Sequence, residues 1–159
     1  MPATAVELLV AATGLSGLLA GASVDRYLVQ VPAWRYMDVM TWAEHSRHAD
    51  LGNGRFWYPL LAIGATGLSF GVALAVRRGV LVASGLGLPV SLAAILLFLG
   101  LGITLRAAPN LLRLREPKDR DITEASLRAF HRWGLGRALF QVLAFPANLW
   151  ALCILARAT

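Results

Sequence analysis

The sequence has a single cysteine, Cys153, and carries charge on only 15% of its 159 residues. One cysteine excludes an internal disulfide and a thiolate cluster, and its place in an apolar run makes it a packing residue that leaves the redox compartment open. Signatures for nucleotide phosphates, Ser or Cys triads and c-type haem attachment are absent, as are repeats and low-complexity segments. The one strongly charged run, RLREPKDRD, reads as a solvated loop. A formal charge of +6 has no nucleic-acid-binding motif behind it, so no nucleic-acid partner is expected.

What is present is apolar. Hydrophobic residues make up 57% of the chain and the mean hydropathy is +0.61, beyond the range of an ordinary soluble domain. Four runs reach the roughly 20 residues that a helix needs to cross a hydrocarbon core. They lie at about 6–24, 56–76, 80–105 and 138–156 and are fenced by charged residues. Residues 33–50, between Pro32 and the turn DLGNG, contain no breaker and form an amphipathic interfacial helix, and a charged loop covers about 106–121. The expected fold is therefore all-α: an integral membrane four-helix bundle, a single domain over 1–159, with an additional amphipathic helix in the first long connection. Pro146 should kink the last span, and Gly17 with Gly21, and Gly67 with Gly71, are helix-packing pairs. A cleavable leader is not expected, because no Lys or Arg precedes the first run and that run is long enough to span.

Four spans put residues 25–55 and 106–137 on one face of the membrane. Twelve of the fifteen Lys and Arg residues lie there; Arg77, Arg78 and Arg157 lie on the other. The positive-inside rule then makes the two long connections cytoplasmic and both termini extracytoplasmic. The excess positive charge is an orientation and anionic-lipid signal. His45, His48 and His131, and every acidic residue except Glu7, fall on that same face. A site, if present, opens toward the cytoplasm.

Two stretches carry the candidate chemistry. In TWAEHSRHAD, a helical period places Asp38, Thr41, His45 and His48 within an arc of roughly 80°, opposite Tyr36, Val39, Met40 and Ala43. A polar stripe meeting water and headgroups explains the pair, and a metal site would need further donors from Asp25, Glu44 or His131. In DITEASLRAFHRWGLGRALFQ, Asp121 and Glu124 have capping-box spacing, so a helix starts at Ile122 and runs into the last span. Phe130, Trp133, Arg137 and Gln141 recur on one face of it. Trp133 and Arg137 suit an interfacial anchor and a snorkelling charge, but Gln141 lies inside the hydrocarbon and needs a partner. Gly134 and Gly136 allow a close approach.

The order of these features resembles the small four-helix membrane proteins classed with the anthrone oxygenases, over nearly the whole chain. That family's W-N-x-x-R element is similar to WGLGR here, matched at Trp133 and Arg137 with Phe130 as a further aromatic, while Gly134 replaces the asparagine. The family's N-x-P-x-N element resembles AAPNLL, matched at Pro109 with Asn110 displaced by one. The resemblance implies oxidation of a hydrophobic polycyclic phenol or anthrone, a polyketide-type substrate, by O2 with no obligatory cofactor. It implies His48 or His131 as base, Arg137 stabilising the substrate anion, and Trp42, Asn110, Trp133 and Gln141 as substrate contacts. Two alternatives stand beside it: a non-catalytic protein that binds a hydrophobic ligand or serves as a subunit, and a metalloenzyme ligated by His45, His48 and His131. Transport is disfavoured because no span carries a charge near its middle. The bilayer, an aromatic small molecule and O2 are the expected partners, and a homo-oligomer is compatible with this reading.

Overall fold

The computed structural model describes residues 3–115 and 119–158. They form an all-α four-helix bundle with no strand among the described residues. In chain order the helices are α1 (Ala3–Asp25), α2 (Val31–Trp34), α3 (Val39–His48), α4 (Gly54–Arg77), α5 (Gly87–Leu112) and α6 (Arg120–Ala158). Wide π turns at Arg26–Gln30 and Ala49–Asn53 join α1 to α2 and α3 to α4. Four helices are long and apolar enough to cross a membrane, which makes the chain a multi-pass integral membrane protein. At 39 residues α6 is roughly 58 Å long at 1.5 Å per residue. It is nearly twice the hydrocarbon thickness, so its charged first half projects beyond the core.

The apolar core lies along the bundle axis. Leu9, Val72, Leu81, Leu86, Val90 and Leu155 close one end, and Leu19, Ala62, Ala65, Leu97 and Ala144 fill the middle. Leu81 and Leu86 explain why the third apolar run starts seven residues before its helix. Residues 80–86 are apolar because they fold back into the core, and they are not helical because Gly79 (φ 68°) and Gly85 (φ 81°) turn the chain left-handed. Gly79 ends α4 in a Schellman motif, its N–H bonding Val76 and the next N–H, of Val80, bonding Ala75. The other end of α5 runs through the first seven residues of the expected charged loop, to Leu112, and a 3-10 turn follows at Arg113–Arg115. Glu116, Pro117 and Lys118, also in that loop, lie outside the described residues.

α6 begins at Arg120 rather than Ile122, since Asp119, not Asp121, accepts the first amides, those of Asp121 and Ile122, at 2.8 and 3.2 Å. α6 is continuous through Pro146. The amphipathic helix is shorter than 33–50, because α2 ends at Trp34 and the chain leaves helical geometry before Asp38 caps α3. α3 docks on the projecting end of the bundle, with Ala43 packed against Leu114 and Leu127. Two contacts fix its start: the Asp38 carboxylate accepts the Met40 N–H at 2.9 Å and pairs with Arg120 at 2.8 Å.

Between the spans, α1 and α6 are joined by two polar contacts. Asn148 donates to Ser16 at 3.1 Å and to Ser69 on α4 at 3.3 Å; seven residues back along α6, Gln141 accepts from Ser23 at 2.7 Å. All five side chains are buried. The matching seven-residue steps, Ser16 to Ser23 and Gln141 to Asn148, keep both pairs on one interface of antiparallel helices.

Two outcomes are expected. Asn148→Leu, which replaces the amide by an apolar side chain and removes its bonds to Ser16 and Ser69, should lower unfolding stability in mixed micelles by about 1 kcal/mol; an unchanged or raised value would show that the contacts are energetically idle. The Met40 N–H, with Arg120, holds the Asp38 carboxyl below its ordinary range despite some desolvation. Its stabilisation is complete above the ordinary carboxylate value and is lost as pH falls through the lowered one. Amide-exchange protection of α3, corrected for intrinsic rates, should therefore decline on acidification below about pH 4, and in Asp38→Ala it should be low at every pH.

Candidate functional site

Each π turn contains one member of a buried ion pair. The extra residue of the first turn rotates the helix downstream by about 100°, and in the second the chain kinks at Gly52, which leaves helical geometry (φ −79°, ψ −115°). Arg26 and Asp50 thereby meet inside the bundle, with side chains 8% and 2% exposed, and bond through Nη2 and Oδ1. Gly54 permits the second turn, because a Cβ there would lie 2.6 Å from the Ala49 carbonyl oxygen. Aromatic rings replace water around the cation. The Arg26 guanidinium lies 5.6 Å from Trp34 and 5.7 Å from Tyr58 and Phe130.

Phe130 is shared, since the Arg137 guanidinium lies 5.9 Å from its ring. Arg137 forms no salt bridge among the described residues. Below these groups is a cavity of about 340 Å³, a volume within the range of small-molecule sites. Its polar wall comprises Ser23, Arg26, Asp50, Arg137 and Gln141, and its remaining walls are largely apolar, from α4 and α5. Two buried atoms of that wall, Arg26 Nε and Asp50 Oδ2, have no hydrogen-bond partner among the described residues. A hydroxyl group, both donor and acceptor, matches such a pair.

The predicted residues divide. Arg137 and Gln141 line the cavity. His131 stands behind its wall, stacked on Trp42 (4.6 Å, 26°) and also packed by Trp34, Phe130 and Tyr27. Neither ring nitrogen of His131, nor the Trp42 Nε1, has a partner among the described residues. His48 is exposed and pairs with Glu44 at 2.8 Å. His45 is also exposed, its ring 6.2 Å from Trp34. The three histidines do not converge, and among the described residues no three His, Cys, Asp or Glu side chains are placed to hold one metal ion. Trp133 is on the outside, 6.0 Å from Arg132. Asn110 is half-buried beside the cavity residues Ala108 and Leu111 but does not line it.

Arg26, Asp50, Tyr27 and Tyr58 were not foreseen as site residues. Arg26 read as the fence of the first span and Asp50 as part of a turn. The signal that could have found Arg26 is the stripe Ser16, Leu19, Ser23, Arg26, one helix face matching Arg137, Gln141, Asn148 on α6. No family model, curated protein or solved structure matches the chain. The resemblance to the anthrone oxygenases rests on architecture and on Phe130, Trp133, Arg137 and Pro109.

The ion pair gives a prediction of sign as well as size. Asp50→Asn or Arg26→Met alone leaves a buried charge or polar group uncompensated and should cost about 3–5 kcal/mol, whereas the double variant Arg26→Met/Asp50→Leu should regain most of that loss. Unfolding in mixed micelles measures all three, and a double variant no better than the singles would contradict an isolated buried pair.

Proposed function

We propose that this protein is a membrane oxidoreductase of anthrone-oxygenase type, which takes a flat hydrophobic phenol or anthrone from the bilayer and oxidises it with O2. The observation that supports it is the placement of Arg26, Asp50 and Arg137 on one wall of an otherwise apolar intramembrane cavity. The aromatic body lies against α4, α5 and the ring of Phe130, and the substrate oxygen lies beside Arg137. Asp50, rather than His48 or His131, is assigned as the proton acceptor, because it alone of the three lines the cavity and has an unpartnered carboxylate oxygen. Removing a proton makes an electron-rich anion, which Arg137 stabilises in a dry site where charge interactions are strong. O2, itself apolar, reaches the anion through lipid; the ring CH2 becomes C=O and the second oxygen atom leaves as water. Binding holds the substrate by its oxygen, and its polar end faces the cytoplasm, the side on which the positive-inside rule places the basic connections.

The test is O2 uptake together with quinone appearance on an anthrone in detergent-purified protein, with and without a chelator. Turnover above the spontaneous rate that survives the chelator is expected. Arg137→Gln should reduce it by about 10²-fold or more. This variant removes a cation that has no carboxylate partner, so the fold survives. Loss of turnover in His48→Ala with retention in Asp50→Asn would overturn the assignment of the base. Saturable anthrone binding without turnover would replace the enzyme by a binding protein.

A further inference from the structure

The charges around the cavity do not balance. Its lining holds Arg26, Arg55, Arg137 and Asp50 as the charged residues. Arg26 is neutralised by Asp50, and Arg55 is exposed with its guanidinium 4.6 Å from the Phe56 ring, where water and lipid headgroups reach it. Arg137 is left as a cation facing an apolar space, with the Phe130 ring as its near neighbour. Arg137 is half-buried, and a charge partly withdrawn from water without a counter-charge is costly, so such a site favours a ligand that brings one negative charge.

The same lining shows where such a ligand comes from. Ile63 on α4 and Leu105 and Leu112 on α5 line the cavity, yet they are 60%, 74% and 47% exposed. A side chain that borders the cavity and also faces outward marks its rim. Here the rim lies between α4 and α5, two of the helices long and apolar enough to cross a membrane. Pro59, at the same rim, is also exposed.

We propose that the cavity is a laterally open site for a lipophilic monoanion, whose acidic oxygen sits at Arg137 while its apolar body extends between α4 and α5 into the bilayer. Carboxylate and phenolate heads share this chemistry, and a molecule with an apolar tail is accepted as readily as a compact polycycle. The inference rests on reading the cavity as a ligand site, as above, but not on oxidation.

The experiment compares pyrenebutyrate with its neutral counterpart pyrenebutanol, by pyrene anisotropy, in phosphatidylcholine nanodiscs under nitrogen, with empty nanodiscs as baseline. A phenolate arm uses hydroxypyrene above its ionisation midpoint. The acid should bind saturably and about tenfold tighter than the alcohol, as expected for one charge-assisted contact. Arg137→Gln should abolish the difference by weakening the acid alone. Leu105→Trp, which fills the gap, should slow association of both probes. Equal affinities in the wild type, absence of saturable binding, or a preference that persists in Arg137→Gln would each overturn the monoanion site. Unaltered association in Leu105→Trp would overturn the lateral route. Because O2 is excluded, anthrone turnover without an anion preference retires this inference alone, and an anion preference without turnover retires only the oxidation.

Discussion

The Arg26–Asp50 pair, buried within the bundle, is the constraint around which the rest is arranged. Two charges taken out of water lose several kcal/mol of hydration each, and their mutual attraction offsets this only when the geometry is good and the surroundings are satisfied. Both helices depart from α geometry at the residues concerned, the first through a wide π turn and the second through a kink at Gly52. Trp34, Tyr58 and Phe130 then surround the guanidinium with ring faces. A pair that served stability alone would be matched by an apolar core of the same volume. The retention of charge, beside a cavity, is what makes the site a candidate for chemistry.

Much of the fold was legible from composition, because the bilayer imposes a length on apolar runs that charged residues then mark. The four spans needed nothing else. Residues 80–86 misled because hydropathy records burial, not helicity: Leu81 and Leu86 are core residues in a glycine turn. The site was half legible. Gln141 stood out because an amide within hydrocarbon demands a partner, and Ser23 is that partner. Arg26 and Asp50 did not stand out, since a charge at a span's edge ordinarily reaches water, and no local pattern announces a π turn that directs it inward.

The histidines show the converse. Their sequence clustering suggested a common site, yet α3 turns His45 and His48 outward, and only His131, on α6, has its ring nitrogens buried. What α3 buries on α5 and α6 is Ala43, with Trp42 laid over the His131 ring. Helical spacing placed His45 and His48 on one face correctly but did not say which way that face points, because the answer depends on tertiary docking through Leu114 and Leu127.

Gly134 connects the departures from the resembled motif to the ion pair itself. A Cβ at this position would collide with the Tyr27 hydroxyl, which donates to the His131 carbonyl at 3.2 Å. An asparagine at 134 and a tyrosine so placed at 27 therefore exclude each other. Tyr27 is the neighbour of Arg26 within the first π turn, so the glycine admits its ring against α6 next to the residue that pairs with Asp50. The tyrosine and the glycine form one device spread over two helices, with Arg137 one turn further along the second.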